Sequence, residues 1–247
     1  DDIGWGFEDR DLWEIGMHPH DHRWFLNRFF TGEHDTSFAR GRLFQHNPVT
    51  GDARICGTTA SLCGLEKALH EGNEQEAEYA VRRILLLYGI IFTMGGIPLI
   101  YLGDEIGLTN DYDFEKDPEK AGDDRWMHRP SFDWKKAERR KDPDTVEGKL
   151  FQGMLKLSQI RKNNQAFHET LTECVDVGNH HVFGYFRVHD GQSVLCLANF
   201  NEWHEEISAT RLRQLGLRKT FTDLVAGQSI VATEKLVMEP LQFMAIL

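Results

Sequence analysis

Basic charge is scarce in this chain: its 247 residues carry 28 Lys and Arg against 39 Asp and Glu, a formal net charge of −11. A protein that neutralises nucleic-acid phosphates needs a basic face, and no Lys/Arg-rich run is present, so no nucleic-acid partner is expected. Cysteine is sparse as well. Cys56, Cys63, Cys174 and Cys196 lie far apart, none in the two-residue spacing of a zinc knuckle or redox pair, and each has apolar or small neighbours. They read as buried reduced thiols, which favours a cytoplasmic compartment. Low-complexity tracts and internal repeats are missing, and the balance of 40% hydrophobic to 27% charged residues excludes disorder and collagen. One long uncharged stretch exists, Ile84 to Gly103, about the length of a bilayer span. Gly95, Gly96 and Pro98 interrupt it, which fits a break between a buried helix and a buried strand, so no membrane partner is expected. No charged leader with an apolar core stands before Asp1, and the opening reads as the middle of a longer protein.

The organisation changes along the chain. Residues 1–64 are irregular, with aromatic and His residues between charges and a short helix plausible at Asp21 to Phe30; such a segment in a compact enzyme carries a binding surface. Between Glu74 and Thr93 the apolar residues Ala77, Ala80, Val81, Ile84, Leu85, Leu87 and Tyr88 predict a helix that slides into a core. Ile97 to Leu102 then reads as a strand buried on both faces, as in a parallel sheet. Thr145 to Arg161 predicts another helix, striped by Leu150, Phe151, Met154, Leu155, Leu157 and Ile160. Beyond Asn164 come short alternating runs at 170–177, 181–188, 193–199, 204–209, 219–224 and 235–247, separated by Gly-containing turns, which predict an antiparallel β domain.

Two polar clusters invite chemistry on residue type alone. Asp104 and Glu105 stand at the carboxyl end of the expected strand, where parallel α/β folds place catalytic groups, although the pair serves equally to order a loop. His18, His20, Asp21 and His22 could ligate a metal, yet their spacing is not that of a structural zinc motif and no Cys joins them. No metal or organic cofactor is expected.

The blocks DDIGW, TSFARG, FQHNPVTGDARICGT, GIPLIYLGDEIG and DDRWMHRP together carry a family resemblance. The chain resembles the C-terminal part of the sucrose-acting glucosyltransferases of the α-amylase superfamily, above all the amylosucrase branch. That resemblance implies an α/β fold: the C-terminal part of a (β/α)8 TIM barrel with a loop subdomain, followed by an antiparallel β-sandwich domain. It divides the chain into residues 1–64, the end of barrel strand seven and its loop subdomain; 65–164, the last barrel helices and strand eight; and 165–247, the β domain. In this reading the nucleophile and the acid/base Glu lie on earlier strands, so this chain alone is expected to be inactive.

The resemblance also assigns roles. Asp1 becomes the carboxylate that stabilises the transition state, and Asp2 faces the neighbouring leaving-group or acceptor site; a bare Asp-Asp is otherwise a solvated turn or cap. Arg54 matches an Arg near the sugar beyond the cleavage point, with a surface ion pair as its alternative. Arg125 matches an Arg that closes the floor of the glucose pocket by pairing with an upstream Asp, or else anchors its own loop. Gln45, Arg23 and Phe25 fall in the excursion that shapes acceptor binding, where Phe25 could equally pack a small core with Phe29 and Phe30. His-Pro-His ahead of Asp-His-Arg departs from the family pattern. The implied reaction takes sucrose, forms a glucosyl-enzyme, releases fructose and passes glucose to an α-1,4-glucan. A sucrose hydrolase, a related α-glucosidase or trehalose synthase, and a non-catalytic carbohydrate-binding protein remain the alternatives.

Overall fold

The computed structural model describes residues 6–169 and 171–247. The chain forms two compact units: one comprises the chain up to Val81 with Tyr101–Arg139, the other Arg82–Ile100 with Arg140–Leu247.

The first unit opens with α1 (Asp9–Glu14) and α2 (Pro19–Phe30). Pro19 occupies the first turn of α2, where its missing N–H is no loss, and His18 Nδ1 accepts from the Asp21 amide at 3.5 Å. The expected helix at 21–30 is thus present and starts two residues earlier. An antiparallel hairpin follows, β1 (Arg42–Phe44) with β2 (Arg54–Cys56), then α3 (Thr59–Leu62), capped by Thr58, and α4 (Leu65–Glu71), closed by left-handed Gly72. The buried side chain of Asn110 cross-links this unit: Oδ1 accepts from Thr58 N at 2.8 Å and Nδ2 donates to Arg40 O at 2.6 Å. A buried amide satisfied on both ends fixes the loops it joins. Helix α5 (Glu74–Thr93) matches the expected bounds. After Tyr101 the first unit continues through 3-10 turns at Asp104–Ile106, Asp113–Lys116 and Asp124–His128 to α6 (Trp134–Glu138).

The second unit holds α7 (Val146–Asn163) and the antiparallel region: β3 (Glu173–Val175), β4 (Val182–His189), β5 (Gln192–Asn199), β6 (Glu205–Ser208), α8 (Ala209–Gln214), β7 (Thr220–Asp223), β8 (Gln228–Val231), β9 (Lys235–Met238) and β10 (Phe243–Ile246). One sheet has the order β3-β4-β5-β10-β7-β8, and β6 pairs with β9 apart from it. Asp190 and Gly191, at φ +48° and +79°, form the two-residue turn joining β4 to β5, the conformation that matches strand twist. Leu195, Leu197, Phe221, Met244 and Ile246 of the larger sheet share a core with Ile207, Leu236 and Met238 of the smaller. On the opposite face, Tyr185 hydrogen-bonds Thr93.

Several expectations need correction. The strand at Ile97 to Leu102 does not form: Ile97 is 96% and Leu99 77% exposed, and no strand among the described residues pairs with the run. A strand apolar on both faces acquires its conformation from neighbours on both edges, and these residues have none there. The run at 235–247 is two strands, separated where Leu241 turns to φ +55°. Strand β8 and helix α8 were not foreseen; β8 is short and carries only two apolar residues, too few for a visible alternation. Among the described residues, no helix is long and apolar enough to cross a membrane.

Candidate functional site

The hairpin β1–β2 organises the first unit's polar surface. Its register sets Phe44 opposite Arg54 and Arg42 opposite Cys56, and residues paired across two strands share a face. Asn47 builds the connection: its side-chain Oδ1 accepts from Val49 N at 2.9 Å, and its backbone N–H donates to Asp52 O at 2.7 Å. Gln45, next to Phe44, is exposed in the left-handed region at φ +53°, uncommon for a residue with a side chain.

The loop Asp113–His128 meets that hairpin face. The Arg125 guanidinium lies over the Phe44 ring, 4.9 Å from its centroid, and is held by Asp123 through Nε–Oδ1 at 2.9 Å and Nη2–Oδ2 at 2.8 Å. Arg125 and its backbone amide, both donating, lower the Asp123 carboxyl to about 2. Arg42 bridges Glu115 at 2.6 Å and Asp124 at 3.0 Å and lies over Phe114. Burial works against its charge, but the hydrogen bonds to Glu115 and Asp124 outweigh it and raise the pKa. Beneath the pair, Cys56, Phe114 and Met127 form a small apolar core against Phe44 and Trp126. Arg125 therefore covers the Phe44 ring, and Arg54, opposite Phe44 in register and exposed, presents a planar fork of donors suited to hydroxyl or carboxylate groups.

The other expected residues are distributed differently. Arg23 on α2 donates to Asp9 Oδ1 at 2.7 Å and to the Phe7 carbonyl, so its guanidinium fastens the segment before α1. Phe25 packs in an aromatic cluster with His22, Phe29 and His34. Helix α2 still borders the hairpin, since Asn27 Nδ2 donates to Gly51 O at 3.2 Å. Asp1 and Asp2 lie outside the described residues. Asp104 is buried and accepts from Thr59 Oγ1 at 2.7 Å, and Glu105 closes its own turn on Gly103 N at 2.7 Å, so both carboxylates order loops. His18 caps α2 and His22 sits edge-on to Phe7; among the described residues no group of His, Cys, Asp and Glu is arranged to hold a metal ion.

Two site residues escaped sequence reasoning. Asp123 carried a usable signal, an acceptor two residues before Arg125 at the start of a helical turn. Phe44 carried none, because only the folded loop brings Arg125 over its ring.

Comparison with known proteins gives a match for part of the chain and several distant relatives. The cyclo-malto-dextrinase C-terminal domain matches residues 177–246, most of the antiparallel region. The glucosylglycerate phosphorylase of Escherichia coli K12 is 25% identical over 173 residues, covering 69% of this chain and 29% of the relative. These matches support the α-amylase family. A second glucosylglycerate phosphorylase, from Spirochaeta thermophila, is 24% identical over 155 residues, covering 61% of this chain and 26% of the relative. Among solved structures, the A258V mutant of the trehalulose synthase MutB has 18% identity and a TM-score of 0.51, covering 67% of this chain and 38% of that one. The enzyme from Pseudomonas mesoacidophila MX-45 gives 18% identity and a TM-score of 0.50, with the same 67% and 38% coverage. This likeness concerns the fold. The chain spans less than a third of the length of these two curated relatives, 29% and 26%.

Proposed function

We propose that this chain is the C-terminal part of a retaining, sucrose-acting glucosyltransferase of the amylosucrase type. The assembly of Arg54, Phe44 and Arg125 on one hairpin face carries this reading, because it unites two distant blocks, FQHNPVTGDARICGT and DDRWMHRP, at one surface. Exposed Arg54, beside the anchored Arg125, suits a sugar, whose hydroxyls accept from arginine. Gln45 adds an exposed amide beside them. In this reading Asp1 and Asp2 line the cleavage point, and Ile97 to Leu102 is a barrel strand completed by the barrel's remaining strands.

The reaction class follows from retention at the anomeric carbon. A carboxylate attacks that carbon while an acid protonates the departing fructosyl oxygen, giving a covalent glucosyl-enzyme and free fructose. The former acid then takes a proton from the 4-hydroxyl of an α-glucan as that oxygen displaces the carboxylate. A third carboxylate that binds the sugar hydroxyls more tightly as positive charge develops lowers the barrier. The enzyme needs no cofactor, acts in the cytoplasm, and takes sucrose and a glucan as partners.

A second reading has its own support. Two curated relatives are named glucosylglycerate phosphorylases, and in a phosphorylase inorganic phosphate takes the acceptor's place. The test incubates the full-length protein with sucrose, with and without phosphate, and quantifies fructose, glucose, glucose 1-phosphate and insoluble glucan. Fructose in excess over glucose, with glucan appearing, is the expected result. Glucose 1-phosphate formed only with phosphate selects the phosphorylase, equal fructose and glucose a hydrolase. No release of either sugar rejects a sucrose-acting enzyme and moves the search to other α-glucosides or to the non-catalytic binding protein.

A further inference from the structure

The loop Asp113–His128 carries more carboxylates than its own cations balance. Lys116 pairs with Asp113 at 2.6 Å, Lys120 with Asp117 at 3.3 Å and Arg125 with Asp123 at 2.8 Å, so each cation of the stretch 113–125 already has a partner two or three residues away. Glu119 stands in solvent. Glu115 and Asp124, one from each limb of the loop, turn instead to the hairpin.

There a single atom meets both. Arg42 Nη1 lies 2.6 Å from Glu115 Oε1 and 3.0 Å from Asp124 Oδ1, and among the described residues Arg42 is the one cation paired with either carboxylate. Two carboxylates that share one donor atom are close neighbours, and without the guanidinium between them they repel each other. Asp124 opens the 3-10 turn that carries Arg125, while Arg42 and Phe44 alternate along β1 and so share a face. Anchoring Asp124 therefore sets where the Arg125 guanidinium meets the Phe44 ring.

We propose that Arg42 is a positioning residue: through Glu115 and Asp124 it staples the loop to the hairpin and holds Arg125 in place on the sugar-binding surface. The sugar rests on the function proposed above; the staple rests on charges and distances alone. The Arg42 side chain is 35% exposed, so salt screens the staple. Sucrose is uncharged, so a salt-dependent KM reports ion pairs within the protein and not attraction of the substrate.

The test compares the full-length wild type with Arg42→Met and with the neutral triple variant Arg42→Met, Glu115→Gln, Asp124→Asn, by sucrose kinetics and by hydrogen exchange of the loop amides. In Arg42→Met, KM is expected to rise about tenfold with kcat within about twofold, and the amides of 113–128 to exchange about tenfold faster. The triple variant, relieved of the repulsion, is expected to recover most of both losses. Raising NaCl from ~0.05 to ~0.5 M is expected to raise the wild-type KM about threefold and to leave that of the triple variant flat. Unchanged loop exchange in Arg42→Met overturns the staple. Faster exchange at an unchanged KM overturns the positioning role, and so does a triple variant no better than the single one. Where Arg42→Met does not fold, the salt dependence decides: a wild-type KM as flat as that of the triple variant overturns the proposal. If the wild type releases no fructose from sucrose, the proposed function fails, and loop exchange still decides for or against the staple.

Discussion

Asp123 and Arg125 show how little separates a loop anchor from a sugar contact. The fork on Asp123 holds the guanidinium against Phe44, so the same residue orders its loop and presents a flat cationic surface. Because the Asp123 carboxyl is lowered from its ordinary value near 3.8 to about 2, the contact is complete above pH 4 and is lost as pH falls through about 2. An NMR titration of that carboxyl is expected to give a midpoint near 2 in the wild type and a higher one in Arg125→Ala, still below the ordinary value because the backbone amide of residue 125 goes on donating; identical midpoints would disprove the side-chain pairing. The cysteines provide a second check. Burial pushes the Cys196 thiol up to about 12, and Cys56 and Cys63 are also buried, whereas Cys174 is exposed. Iodoacetamide at neutral pH is therefore expected to modify Cys174 first, with the other three reacting only in denaturant, as read by mass spectrometry.

At the scale of elements, helix α7 depends on its cap. Thr145 Oγ1 accepts from Gly148 N at 3.0 Å and donates to Asp142 O at 2.8 Å, so Thr145→Ala is expected to cost about 1 kcal/mol in denaturant unfolding. Gly89 in α5 poses a sharper contest. Alanine raises helix propensity by up to about 1 kcal/mol, but its Cβ would overlap the Phe243 ring, and overpacking of that kind costs about 1–3 kcal/mol. Gly89→Ala is expected to be net destabilising; a variant as stable as the wild type would mean that the ring yields. Helix α5 was legible because its apolar spacing needs no partner to reveal it. The run at Ile97 to Leu102 forms no strand in this chain because apolarity alone cannot supply the neighbours a strand needs. Helix α8, six residues behind a Ser208 cap, is too short for periodicity to register.

For the whole molecule, net charge is the property most directly open to test. With a charge of −11 the chain is expected at pH 7 to bind an anion exchanger, pass through heparin resin and leave duplex DNA unshifted in a mobility assay; heparin retention at moderate salt would reveal a basic face that the composition conceals. The sequence by itself determined the long helices, their caps, the Asp190-Gly191 turn and the motif blocks that suggested a family, because these depend on sterics and hydrogen bonds within a few residues. The tertiary structure alone decided that Arg42 meets Asp124 across 82 residues of chain, that Arg125 stacks on Phe44, and that Arg23 ties down Phe7 and Asp9. Those contacts join segments far apart in the chain, and their geometry is set when the apolar cores close, a cooperative event that no local pattern encodes.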